Sequence, residues 1–280
     1  MQILFAVLAL GGIGAFFGLL LGLAARFFAV DTDPRIEAVR EALPGANCGA
    51  CAYAGCNKYA EAVVAGDALV NGCIPGGDMT ASAIAAIMGQ KAGTVEPKVA
   101  YVFCRGDHRH ARDLFIYHGI LDCDYAQQYH GGFKACPDGC LGLGNCVRAC
   151  PFEALSMGPE GLPQVDEDRC SGCGLCVEAC PREIIRLLPK GDHGHLVWCN
   201  SQQRGKTVSR ACEVGCTGCR ACVRACPQEA ISMDGYLAVI DLEKCDDCGL
   251  CVEKCRFGSI HPRREAAAGS AARPEEAASA

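Results

Sequence analysis

The side chains best equipped for chemistry are cysteines, 24 of the 280 residues. Most of them recur at fixed intervals. Cys170-x-x-Cys173-x-x-Cys176-x-x-x-Cys180-Pro, Cys216-x-x-Cys219-x-x-Cys222-x-x-x-Cys226-Pro and Cys245-x-x-Cys248-x-x-Cys251-x-x-x-Cys255 share one pattern. Three thiolates from such a loop wrap one face of a cubane iron–sulfur cluster. The fourth, four residues further on, points at the other cluster of a pair. Under that exchange Cys170, Cys173 and Cys176 take Cys150 as their fourth ligand. Cys216, Cys219 and Cys222 take Cys255, and Cys245, Cys248 and Cys251 take Cys226. Three [4Fe-4S] clusters follow from this spacing.

A fourth triad is irregular. Upstream of Cys146 the nearest cysteines are Cys140 and Cys136, giving C-x3-C-x5-C. Cys136, Cys140, Cys146 and Cys180 are assigned to one cluster, with Gly139, Gly142 and Gly144 letting the longer loop wrap. Cys212 stands at the same four-residue offset before Cys216 as Cys136 does before Cys140, so one of the two is open to being a bystander. Nearer the amino terminus, Cys48, Cys51, Cys56 and Cys73 form C-x2-C-x4-C-x16-C without an exchange partner. They are read as a lone [4Fe-4S] site, with a four-cysteine zinc site as the alternative. Five clusters use 20 cysteines and leave Cys104, Cys123, Cys199 and Cys212 without a role.

The elements that must position these ligands begin with an anchor. Ile3 to Ala25 is a run of 23 residues without a charge, enough to span a bilayer core of about 30 Å. Met1-Gln2 lacks the basic side chain of a secretory leader. Arg26, Arg35 and Arg40 beyond the run place the remainder on the cytoplasmic side of the inner membrane. Gly14, Gly18 and Gly22 lie on one face of this helix, where small residues allow close approach of another helix. The run carries no ionisable group and so is no ion path by itself. Residues 1–28 are the transmembrane anchor, 31–92 a small helical four-cysteine domain and 93–134 a connecting segment. Residues 135–190 and 208–262 are two ferredoxin-like modules, and 263–280 is a disordered tail. The fold class is α+β, with helices expected from Pro34 to about Leu43, over 57–70 and from Thr80 to Met88, and a buried strand from Val99 to Phe103. The modules are an internal repeat: Pro-Phe-Glu-Ala-Leu-Ser-Met after Cys150 returns as Pro-Gln-Glu-Ala-Ile-Ser-Met after Cys226.

Several function classes are excluded. Ligand-type spacing in a long chain argues against a disulfide scaffold, and a net charge of −6 with a pI near 5.7 offers no nucleic-acid footprint. Gly12-x-Gly14 is the only near match to a dinucleotide fingerprint, and it lies inside the apolar run rather than after a strand. No catalytic substrate site is visible.

An N-terminal helix, then Pro-Gly-Ala-Asn-Cys48-Gly-Ala-Cys51-x4-Cys56-x16-Cys73, then ferredoxin-type blocks resembles the B subunit of the Rnf complex, over about residues 1–260. That family is a membrane-bound ferredoxin:NAD oxidoreductase coupling electron transfer to sodium or proton export. The resemblance implies a relay subunit that takes electrons from soluble reduced ferredoxin and passes them toward flavin-bearing, NAD-reducing and multi-helix membrane subunits. A membrane-tethered polyferredoxin serving a hydrogenase or another dehydrogenase is the alternative. The PGANCGAC group speaks against it, because plain polyferredoxins repeat only the eight-cysteine module.

Overall fold

Asp33 starts the first of three small helices by accepting the backbone N–H of Arg35 at 2.9 Å. Pro34 then fills a first-turn position where its missing N–H costs nothing. The computed structural model describes residues 2–28, 33–191 and 193–263, so all but the first residue of the expected tail lies outside the described residues. Helix α1 is Gln2–Phe27, with side chains described from Leu10 to Ala24 and at Arg26 and Phe27. Among the described residues no helix is long and apolar enough to cross a membrane, so the structure does not itself carry the expected span.

Helices α2 (Pro34–Ala42), α3 (Cys56–Ala65) and α4 (Gly77–Met88) form the first domain, with Val39, Tyr59, Val63 and Ile84 buried where they meet. α3 stops five residues short of the run expected over 57–70. Gly66 turns left-handed at φ 86° and its N–H closes back onto Ala62 and Val63, a glycine C-cap that ends a helix wherever it falls. Gly89, at φ 64°, ends α4 in the same way.

The remaining chain builds one design twice. In the first module β1 (Lys98–Val102) pairs antiparallel with β4 (Ile185–Pro189), Ala100 opposite Leu187. Inside that pair lie a hairpin of β2 (Leu155–Met157) and β3 (Pro163–Val165) and two single-turn helices, α6 (Asn145–Arg148) and α7 (Leu175–Glu178). In the second, β5 (His195–Val197) pairs with β8 (Ile260–Pro262) around the hairpin β6 (Ile231–Asp234) and β7 (Leu237–Ile240) and the helices α9 (Ala221–Ala225) and α10 (Leu250–Glu253). Two further helices, α5 (Cys123–Gln128) and α8 (Gly205–Ala211), each precede their module's first cysteine loop.

Residues 93–134, expected as a connection, therefore supply an outer strand of the first module. Side chains alternate across a strand, and β1 uses both faces. Ala100 and Val102 join the core of their own module, while Val99, Tyr101 and Phe103 pack with Leu196 and Trp198 from the second. The Trp198 ring lies 6.1 Å from that of Tyr101 and 6.3 Å from that of Phe103. Buried Arg263 donates from Nε to the Tyr101 hydroxyl at 3.0 Å. The two modules are thus joined by a shared apolar seam, which fixes how their cysteine loops face each other.

Candidate metal centres

One backbone loop recurs four times and sets the ligand geometry. In C-x-x-C-x-x-C the residue before the second cysteine is left-handed at Gly172 (φ 69°), Gly218 (φ 68°) and Asp247 (φ 61°). The position two residues later is left-handed again, at Gly174 (φ 86°), Arg220 (φ 59°) and Gly249 (φ 76°). Two such reversals curl the loop so that its thiols point to a common interior. The third thiol is then carried by the second residue of a short helix: Cys176 in α7, Cys222 in α9 and Cys251 in α10.

Each fourth thiol arrives from the partner loop. Cys150 lines one void with Cys170, Cys173 and Cys176. Cys255 lines another with Cys216, Cys219 and Cys222. For the last regular set the proximity is electrostatic. Cys248 is raised by Asp246 and Cys226 against a lowering backbone hydrogen bond from Leu250, and Cys251 is pushed up to about 11 by burial, then by Cys245. In the first domain, burial raises Cys73, and Cys56, Cys48 and Cys51 add to it. Tyr59 holds this last loop, donating to the carbonyl of Leu69 at 2.6 Å and accepting from the N–H of Gly72 at 3.0 Å. Asn47 Oδ1 holds the start, accepting the N–H of Cys56 at 2.9 Å.

The structure groups the thiols of the irregular triad differently from their spacing. Gly142 (φ 73°) and Gly144 (φ 77°) repeat the two left-handed turns, so the loop from Cys140 to Cys146 is backbone-equivalent to the others. Leu143 stands where they place their second cysteine. The thiol that joins Cys140, Cys146 and Cys180 around the void is Cys123, not Cys136. Cys123 is the first residue of α5, and its N–H donates to Asn145 Oδ1 at 2.8 Å while Asn145 donates to Asp122 at 3.0 Å. This clasp docks α5 on α6. Spacing concealed the role, because Cys123 lies 17 residues before Cys140 in a segment without periodicity. The sequence signal is the empty second position at Leu143.

Cys136 faces a different cavity, with Cys104, Cys199 and Cys212. All five cysteines given no role, or a doubtful one, by their spacing thus have a place in the structure.

All 24 cysteines are free thiols. Burial pushes Cys146 and Cys176 up to about 12 and Cys222 up to about 11, with neighbouring thiols adding to each. Such sulfurs become thiolates when a bound cation offsets the charge. Among the described residues no three His, Cys, Asp or Glu side chains can hold a single metal ion together. The thiols ring voids instead, and a cubane takes one thiolate at each of its four irons. Backbone N–H groups already point at several sulfurs, Ala154 to Cys150 at 3.4 Å and Ser259 to Cys255 at 3.3 Å. Donors of this kind stabilise the negative charge of a bound cluster.

Three family models match. Residues 43–75 match a putative Fe-S cluster domain, and residues 135–187 and 215–259 each match a 4Fe-4S dicluster domain. Those stretches leave Cys104, Cys123, Cys199 and Cys212 outside. Among curated relatives, the B subunit of the ion-translocating oxidoreductase complex of Methanosarcina acetivorans is 42% identical over 258 residues, covering 92% of this chain and 97% of the relative. The B subunit of the proton-translocating ferredoxin:NAD(+) oxidoreductase complex of Clostridium ljungdahlii is 47% identical over 251 residues, 89% of this chain and 88% of the relative. The Na(+)-translocating counterpart of Acetobacterium woodii is 43% identical over 258 residues, 92% and 77%.

Proposed function

This chain belongs to the family of B subunits of ion-translocating oxidoreductase complexes, and from that premise we infer that it is the iron–sulfur electron-relay subunit of a ferredoxin:NAD oxidoreductase complex that moves ions across a membrane. The observation that carries the reading is the recurrence of one thiol-curling loop in both modules, each closed by a cysteine from elsewhere. When bound, each cubane takes up and returns one electron. The chain's own part is to hold the sulfurs, shield them among apolar side chains and keep successive quartets close.

The ligand sets are Cys48, Cys51, Cys56 and Cys73 in the first domain and two exchanged sets in each module. In the first module these are Cys150 with Cys170, Cys173 and Cys176, and Cys180 with Cys123, Cys140 and Cys146. Soluble reduced ferredoxin is the electron donor, and flavin-bearing or NAD-reducing subunits receive the electrons. α1 is the membrane anchor. That reading rests on the sequence, in which the 23 uncharged residues from Ile3 to Ala25 would match a bilayer core of about 30 Å as a helix. Leu10, Leu19 and Leu23 are each more than 60% exposed along it. Arg26, Arg35 and Arg40 set the modules on the cytoplasmic side. The relatives' names divide between proton and sodium transport, and neither ion is assigned to this chain, whose helix carries no ionisable group between Ile3 and Ala25.

The test is iron, acid-labile sulfide and zinc per chain in Cys48→Ala and Cys123→Ala, purified without oxygen. Each variant should lose about four iron and four sulfide, one cubane, and keep the rest. Unchanged iron in either would refute that ligand assignment, and zinc in place of iron throughout would refute the relay.

A further inference from the structure

Four cysteines meet at the seam between the two modules. Cys104 directly follows Phe103 at the end of β1, and Cys199 directly follows Trp198 at the end of β5. Cys136 and Cys212 each stand four residues before the first cysteine of their module's loop. The quartet is therefore two equivalent pairs, one pair from each repeat, brought together when Phe103 stacks on Trp198. The enclosing cavity holds about 430 Å³ of atom-free space, mouth included, against 370, 350 and 270 Å³ for the three module voids described above. Room is as ample here as where the loops converge.

The thiols are mutual neighbours. Burial raises Cys104, and Cys136 and Cys212 add to it; burial raises Cys212, and Cys136 and Cys199 add to that. Gly106 keeps the centre open: a Cβ on it would stand 3.2 Å from the Cys212 sulfur and 3.7 Å from that of Cys104. Backbone donors are in place, Cys140 N–H to Cys104 Sγ at 3.4 Å and Ser201 N–H to Cys199 Sγ at 3.5 Å. Buried Lys134, ion-paired to Asp113 at 3.0 Å, and Asp138, which accepts from the Ser201 hydroxyl at 2.9 Å, also line the cavity. The segment carrying Cys212 is pinned to the first module by Arg112 N–H to Ala211 O and Glu213 N–H to His110 O, both 2.9 Å.

We propose that Cys104, Cys136, Cys199 and Cys212 bind a further [4Fe-4S] cluster, the sixth in the chain, which joins the two ferredoxin-like modules electrically. The assignment rests on the proposed reading of the cysteine loops as cluster sites. Its place in the row of quartets gives it a role. Cys48 is an electrostatic neighbour of Cys173, and Cys146 of Cys176. The junction quartet touches the first module through Cys140 and Cys104, and the second through Cys199 and Cys216. Cys222 then neighbours Cys251. One electron leaves a reduced cluster on one side as the junction cluster is reduced, and leaves it in turn to the next, with no atom transferred.

The experiment is iron and sulfide per full-length chain in detergent, reconstituted with iron and sulfide without oxygen, together with Cys199→Ala and Cys212→Ala. Wild type should hold about 24 iron and 24 sulfide, six cubanes of four, and each variant about four fewer of both. Spin quantitation of the dithionite-reduced protein should fall by about one spin per chain in the variants. A wild-type count of about 20 overturns the proposal while leaving the relay intact, and so do variants with unchanged iron. About 20 iron with one zinc that disappears in Cys199→Ala also overturns it, by making the quartet a zinc site. Should a variant fail to fold, the wild-type count decides alone. Loss of the relay reading is recognised separately, by zinc in place of iron throughout.

Discussion

Arg182 offers a test of how charge is distributed around the quartets. It follows Cys180-Pro181 and is 7% exposed. Its guanidinium donates to the carbonyls of Gly131 and Cys136, the latter at 3.2 Å, and its Nε is buried without a hydrogen-bond partner. Burial lowers its pKa, while Cys136, Asp138, Cys140 and Cys180 pull it back up. A buried cation costs several kcal/mol unless compensated, and three of those four partners are thiols of two adjoining quartets. Reduction adds negative charge beside the guanidinium, so the cation favours the reduced form and its removal must lower the reduction potential. A close opposite charge shifts a titrating group by about 1–3 units, and one such unit corresponds to about 59 mV for a one-electron couple. Arg182→Met should therefore lower the potential of the Cys123–Cys140–Cys146–Cys180 cluster by about 60–180 mV. Arg182→Lys, which keeps the charge but not both hydrogen bonds, should shift it by less than half as much. The assay is a redox titration followed by electron paramagnetic resonance, with iron content confirmed for each variant. Equal potentials in Met, Lys and wild type at full iron loading would refute the electrostatic role.

Two further outcomes concern the frame. Tyr59→Phe removes the hydroxyl's bonds to the Leu69 carbonyl and from the Gly72 N–H, leaving these two groups joined only to each other at 3.2 Å, in a site where Tyr59 is 1% exposed. At about 0.5–1.5 kcal/mol per lost bond, a chelator should strip iron from the Cys48 site faster than in wild type and from the modules at an unchanged rate. Gly172→Ala combines a left-handed φ of 69° with a Cβ driven into the Lys98 carbonyl of β1, whereas Gly174→Ala at φ 86° meets only Leu187 at 3.7 Å. Both carry a left-handed penalty of about 1–2 kcal/mol. The first should be less stable than the second by a further 1–3 kcal/mol or so in guanidinium unfolding, and equal losses would show that the loop yields at β1.

Legibility in the sequence follows how local each constraint is. Cys170, Cys173 and Cys176 are set by one loop and its two left-handed turns, so their spacing alone announces them. The exchange of Cys150 or Cys255 into the partner loop is legible for the same reason, since the repeat is internal. Cys123 is not, because its position depends on Asn145 and Asp122 clasping α5 against α6, a contact spanning 22 and 23 residues. The helix ends show the same division. Gly89 ends α4 where expected, and Gly66 ends α3 earlier than its apolar pattern suggests, since a pattern reports which face is buried and not where the backbone reverses. β1 was legible as a buried strand from Val99 to Phe103, but its partner, more than 80 residues later, was not.

The seam between the modules explains why one quartet escapes a reading by motif altogether. A motif captures ligands that a single repeat needs, and neither repeat needs Cys104, Cys136, Cys199 or Cys212 to close its own pair of loops. Duplication nevertheless places an equivalent thiol after the first outer strand of each module and another four residues before its first loop. When β1 turns Tyr101 and Phe103 toward Trp198, the two half-sets face each other across Gly106. A site divided in this way is completed only by docking, so the apolar seam and the electrical connection are made by the same contact. Weakening the Phe103–Trp198 stack should open both together, which a pair of ferredoxin modules joined by a simple linker would not do.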